Sequence, residues 1–130
     1  MTFYDTWITE PATFPELLGL LGSEEKPTRI PSPGRRSPMF PEGYTAFFVI
    51  RDGIRSGRFQ GTQINHLTWG ALMTKADIVT FLTELFGAPG RCEARHNGVL
   101  QHQADRVRDI WAFVTELPEG ELFAVVADEF

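Results

Sequence analysis

Five of the nine prolines of this chain, Pro27, Pro31, Pro33, Pro38 and Pro41, fall within residues 23–43. Each removes a backbone donor and biases the residue before it toward extended geometry. That stretch is therefore read as neither a helix nor a central strand. A loop of about 20 residues inside a compact domain is uncommon and usually functional or unfolded. The regular structure has to come from the two flanks.

On the first flank, Thr2 to Thr9 is aromatic and β-branched, which predicts a strand ended by Pro11. Thr13-Phe-Pro-Glu16 predicts a helix start, with Thr13 as N-cap and Glu16 in the capping-box position. Leu17, Leu18, Leu20 and Leu21 then supply an apolar stripe that Gly22 ends. A helix of about two turns cannot stand alone, so it must lean on a core.

On the second flank, Tyr44 to Ile50 reads as a strand buried on both faces, and Asp52-Gly53 as a two-residue hairpin turn. Ile54 to Thr62 reads as a weaker strand. Ile64 to Met73 alternates, with Leu67, Trp69, Ala71 and Met73 on one face. Gly70 marks the other face and a close backbone approach. Thr74 to Gly87 predicts a helix capped by Thr74 and Asp77, with Ile78, Phe81, Leu82, Leu85 and Phe86 facing inward. Residues 91–100 alternate weakly, with a turn at Asn97-Gly98. His102 to Leu117 predicts a second amphipathic helix, and Glu121 to Ala127 a last strand before a short acidic tail.

This order predicts an α+β fold: a mainly antiparallel sheet of about five strands with two to three helices packed on one face. The expectation is a single domain over residues 1–130, with a Pro/Arg-rich loop at 23–43. A content of 42% hydrophobic and 22% charged residues argues against wholesale disorder. Cys92 is the only cysteine, so an intramolecular disulfide is excluded, which is compatible with a reducing compartment. Met1 to Glu10 has no cationic start or apolar core, and no apolar run approaches the roughly 20 residues a membrane span needs. A cytoplasmic location is expected.

Charge is laid out in blocks. Residues 1–25 carry five acids and no Lys or Arg, and residues 26–60 carry seven bases against Glu42 and Asp52. Residues 101–130 carry seven acids against Arg106 and Arg108, and the whole chain sums to −5. The basic block contains Arg35 and Arg36 on the Pro-rich loop, and Arg51, Arg55 and Arg58 around the expected hairpin. If these converge, they form a site for carboxylates or phosphates, because the planar guanidinium makes paired charge-assisted hydrogen bonds. An exposed Phe40 or Phe59 next to such arginines has the composition of an interface, while an aromatic that pins the long loop to its own core is the commoner arrangement.

Other constellations carry less. Cys92, His96 and His102 lie close in sequence but fit no common zinc spacing, so no metal or cofactor is expected. None of the four serines sits in a Gly-x-Ser-x-Gly elbow, and no phosphate-binding glycine motif occurs. Glu116, Glu119 and Glu121 cluster around Pro118, which reads first as a solvated acidic face.

These observations predict a non-enzymatic binding or inhibitory protein of bacterial or phage type, such as an immunity-like protein or an anti-defence inhibitor. It would engage a protein partner through Arg35, Arg36, Phe40, Arg51, Arg55 and Arg58. One alternative is a small-molecule enzyme with an anionic substrate, using His66, Cys92, His96 and the arginines. A nucleic-acid accessory protein and a homodimer are the others; no membrane partner is expected.

Overall fold

Residues 2–20, 36–41, 43–87 and 101–130 are described by the computed structural model of this chain. Most of the Pro-rich stretch, including Arg35, lies outside them. So do the strand expected over 91–100, Cys92 and His96.

Four strands form one antiparallel sheet: β1 (Tyr4–Thr9), β2 (Gln60–Asn65), β3 (Thr68–Thr74) and β4 (Leu122–Glu129), in the order β1-β4-β3-β2. The described helices are α1 (Pro15–Leu20), α2 (Gly43–Arg55), α3 (Lys75–Phe86) and α4 (Gln101–Thr115). The α+β class holds, with four strands among the described residues rather than about five.

The main correction concerns α2. Tyr44 to Ile50 is helical, and Asp52-Gly53 sits inside the same helix instead of a hairpin. Ala46, Phe47, Ile50 and Gly53 are buried along it at helical spacing. A run of aromatic and β-branched residues carries β propensity, but packing against the sheet overrides it. Gly53 has a packing role there: a Cβ at this position would come within 2.2 Å of the Phe59 ring. The hairpin itself lies later, between β2 and β3, where the Leu67 amide donates to Asn65 Oδ1 at 2.8 Å.

Alternation along the strands sorts the side chains into two layers. Ile8, Trp69, Ala71, Met73, Phe123, Val125 and Ala127 face the larger core with α2, α3 and α4. Leu72, Ala124 and Val126 face the other side, where Leu17 of α1 covers them beside Trp7 and Phe14. The helices are therefore divided between both faces instead of stacked on one. Gly70 explains how α1 fits, since a Cβ there would meet Leu17 and Ile64 at 3.0 Å.

α3 begins as its sequence predicts. Thr74 Oγ1 accepts from the Asp77 amide, and Asp77 Oδ2 accepts from the Thr74 amide, both at 3.2 Å. Gly87, at φ 80°, closes the helix in a conformation that favours glycine.

The two sheet edges differ. Along β1, the Ser37 amide donates to Ile8 O at 2.9 Å and the Phe40 amide to Thr6 O at 2.8 Å. Ser37 Oγ in turn accepts from the Ile8 amide at 2.8 Å. The described end of the Pro-rich stretch is thus stitched to the outer edge of β1, which removes that edge as a template for another strand.

Candidate functional site

A helix laid on a sheet buries one stripe and leaves another outside. On α2 the outer stripe runs Tyr44, Phe48, Arg51, Arg55, at spacings of four, three and four residues. Tyr44 is 63% exposed, although apolar and aromatic side chains on such a face are normally replaced by polar ones.

These side chains are assembled with one another. The Tyr44 and Phe48 rings are 4.7 Å apart between centroids, and the Arg51 guanidinium lies 4.4 Å over the Phe48 ring. Tyr4, at the start of β1, packs on the same group: 5.3 Å from Tyr44 in an edge-to-face arrangement and 5.6 Å from Phe48. On its inner side Tyr4 touches Phe47, at 5.0 Å, which ties the exposed Tyr44 and the half-buried Phe48 to the core. Such aromatic pairs contribute about 0.5–1.5 kcal/mol each beyond the area they bury. The surface is therefore pre-ordered.

The charges around Tyr4 act on its phenol. Partial desolvation, followed by the nearby Glu129 carboxylate and Tyr44, raises its pKa above the usual 10.0, with Arg51 pulling the other way. The phenol is a neutral hydrogen-bond donor at any physiological pH.

At the same end of the sheet, Phe3 and Phe130 continue the β1–β4 pairing. The Phe3 amide donates to Phe130 O at 2.6 Å and the Phe130 amide to Phe3 O at 2.8 Å. Their rings stack at 5.8 Å and remain 53% and 56% exposed. By strand alternation they stand on the face opposite Tyr4.

The described arginines do not converge on one surface, and Arg35 lies outside the described residues. Arg36 lies 4.3 Å over the Trp7 ring, on the α1 side of the sheet, whereas Arg51 and Arg55 ride on α2. Arg55 sits 5.3 Å from the Trp69 ring, Arg51 Nε bonds Asp52 at 3.2 Å, and Arg58 is paired with Glu84. The pair holds the Arg58 guanidinium above its ordinary value and the Glu84 carboxyl below its own, with the hydrogen bond as the main cause of each.

Phe40 takes the core-pinning role and not the surface one. It is 3% exposed and packs against Phe81 and Phe86, at 6.1 and 5.9 Å, so it anchors the segment to the core and is absent from the surface. His66 is exposed in the β2–β3 turn. Among the described residues, no group of three or more His, Cys, Asp or Glu is placed to hold a metal ion, and no helix is long and apolar enough to cross a membrane.

A strand buried on both faces over residues 44–50 does not bring Tyr44, Phe48 and Arg51 to one side, so the sequence reading does not single out Tyr4, Tyr44 and Phe48 as a site. Read at helical period, the Tyr44–Phe48–Arg51–Arg55 stripe is visible in the sequence. Comparison of the chain with models of protein families, with curated proteins and with solved structures found no match.

Proposed function

We propose that this chain is a non-enzymatic binding protein that engages, and thereby blocks or accompanies, a partner protein. The observation that carries this reading is the ordered group of Tyr4, Tyr44, Phe48 and Arg51, in which Tyr44 is exposed and the other three are half-buried. Tyrosine and arginine dominate interface hot spots, because they combine large apolar area, few rotatable bonds and polar tips. The partner face that fits is an apolar concavity receiving Tyr44 and Phe48, with a carboxylate placed for Arg51.

Among the described residues, the distribution of cations favours the protein reading over nucleic acid. Arg36 is separated from the α2 arginines by the sheet, and Arg58 is engaged by Glu84. A phosphate backbone needs a continuous cationic track, and its attraction is opposed by a net charge of −5. Action as an immunity-type or anti-defence inhibitor is the narrower form of the same proposal.

The test is capture of a partner from nuclease-treated lysate, then titration of the purified partner against Tyr44→Ser and Arg51→Ala. A stoichiometric protein whose affinity drops at least about tenfold with Tyr44→Ser supports the reading. Undiminished affinity in both variants overturns this surface, and loss of every partner on nuclease treatment points to nucleic acid.

A further inference from the structure

The outer stripe of α2 is complementary to itself. Tyr44, Phe48, Arg51 and Arg55 follow at spacings of four, three and four residues, a pattern that reads the same from either end. These are also the spacings of the seam positions of a two-stranded coiled coil, whose helices cross at about 20°. A half-turn about the point midway between Val49 and Ile50 therefore lays Tyr44 on Arg55 of a second copy, and Phe48 on Arg51 of that copy. Each contact along this seam pairs an aromatic ring with a guanidinium, an attraction that strengthens as water leaves. The parallel arrangement does the reverse, since it sets Arg51 on Arg51 and Arg55 on Arg55.

The stripe is ordered before anything meets it, which lowers the entropy that pairing costs. Tyr44 is held by Tyr4 at 5.3 Å and by Phe48 at 4.7 Å, yet is 63% exposed. Arg51 lies 4.4 Å over Phe48 of its own copy, and Arg55 is exposed at 5.3 Å from Trp69. A guanidinium is a plane with two faces, so a ring on one face orders it and leaves the other for a ring of the second copy. Charge is balanced at the centre of the seam. Arg51 Nε donates to Asp52 Oδ1 at 3.2 Å, so the two arginines nearest the axis each arrive with a carboxylate. Antiparallel helices also set their dipoles in opposition, which is favourable.

The geometry points to a homodimer in which α2 packs antiparallel on α2 of a second copy, with Tyr44 against Arg55 and Phe48 against Arg51 across the axis. The inference rests on the reading of this surface as one that binds protein, and it names the partner as a second copy of the chain. Two helices of 13 residues meet over less than the roughly 1,200 Å² at which stable interfaces begin, so the dimer is weak and reversible.

The test is sedimentation equilibrium of the full chain from about 10 µM to about 1 mM, the range in which a small interface associates. A monomer–dimer equilibrium is expected, and Tyr44→Arg and Arg55→Glu should each weaken it at least about tenfold. An equimolar mixture of the two variants should recover to within about threefold of wild type. In the mixed dimer the guanidinium introduced at 44 faces the carboxylate introduced at 55, and the native Tyr44–Arg55 contact survives on the other side of the axis. A second measurement needs no variant: isotope-filtered Overhauser spectra of half-labelled wild-type chain should connect the Tyr44 ring to Arg55 of the other copy. A chain that stays monomeric up to about 1 mM overturns the homodimer, while the binding surface itself is judged separately by the effect of Tyr44→Ser on a foreign partner. Self-association that neither variant weakens, or that shows no Tyr44–Arg55 contact between copies, overturns it as well.

Discussion

Gly43 stands so close to Tyr4 that a β-carbon at position 43 would lie 2.1 Å from the Tyr4 carbonyl oxygen. The clash is with backbone, so no side-chain rotation relieves it. This contact sets how near the first turn of α2 comes to β1, and hence whether Tyr44 and Phe48 reach the Tyr4 ring. Gly43→Ala should cost about 2 kcal/mol by forcing the helix outward, as overpacking does. Urea unfolding checks the stability, and near-ultraviolet dichroism of the tyrosines should change at the same time. A wild-type midpoint would show that α2 is not held this way.

The seam between the Pro-rich segment and β1 depends on one hydroxyl. Ser37 is 4% exposed; its Oγ accepts from the Ile8 amide and donates to Pro38 O at 2.9 Å. Ser37→Ala leaves a buried N–H without its acceptor, for a loss of about 1–3 kcal/mol. Hydrogen exchange at Ile8 should accelerate more than at Val125 in the sheet centre. Equal acceleration at both would mean the loss is global rather than at the seam.

What could be read in advance follows from how local the determining interactions are. α3 was legible because its capping box, apolar stripe and terminating Gly87 all lie within fourteen residues of one another. The strand at Leu122–Glu129 was legible because a central strand covered on both faces needs a continuous apolar run. α2 was not legible, because Tyr-Thr-Ala-Phe-Phe-Val-Ile fits either period locally and only contacts distant in sequence decide. Gly43 meets Tyr4, Gly53 meets Phe59, and Phe47 packs on Tyr4. The candidate site inherited that failure, since Tyr44, Phe48 and Arg51 share a face only on a helix. The split of α1 from the other helices was equally hidden, because it depends on Leu17 meeting Gly70, far along the chain.

Phe40 and Tyr44 separate stability from binding. Phe40 is buried between Phe81 and Phe86, so Phe40→Ala should cost about 3–5 kcal/mol through the cavity it leaves. Tyr44 is mostly exposed but joins two ring pairs, so Tyr44→Ser should cost about 1–2 kcal/mol, less than Phe40→Ala. Thermal unfolding of the two variants side by side checks this. A larger loss for Tyr44→Ser would make the exposed ring a stability element and undercut its assignment to a partner.

Arg58 and Glu84 join the turn after α2 to α3, and both side chains remain close to half exposed, at 44% and 45%. Solvent screening limits such a pair to about 0.5 kcal/mol, so it positions the turn more than it holds the fold. The sign of its pH dependence follows from Glu84. Its folded carboxyl titrates below the ordinary value of 4.5, so the contribution is complete above that value. It is lost as pH falls through the folded value. A double-mutant cycle with Arg58→Ala and Glu84→Gln should give a coupling of about 0.5 kcal/mol at pH 7. That coupling should shrink toward zero as pH drops below 4.5 and also weaken with added salt. A coupling that persists in acid would mean Arg58 is held by another group, with its stacking on Phe59 at 4.7 Å as the contact to test next.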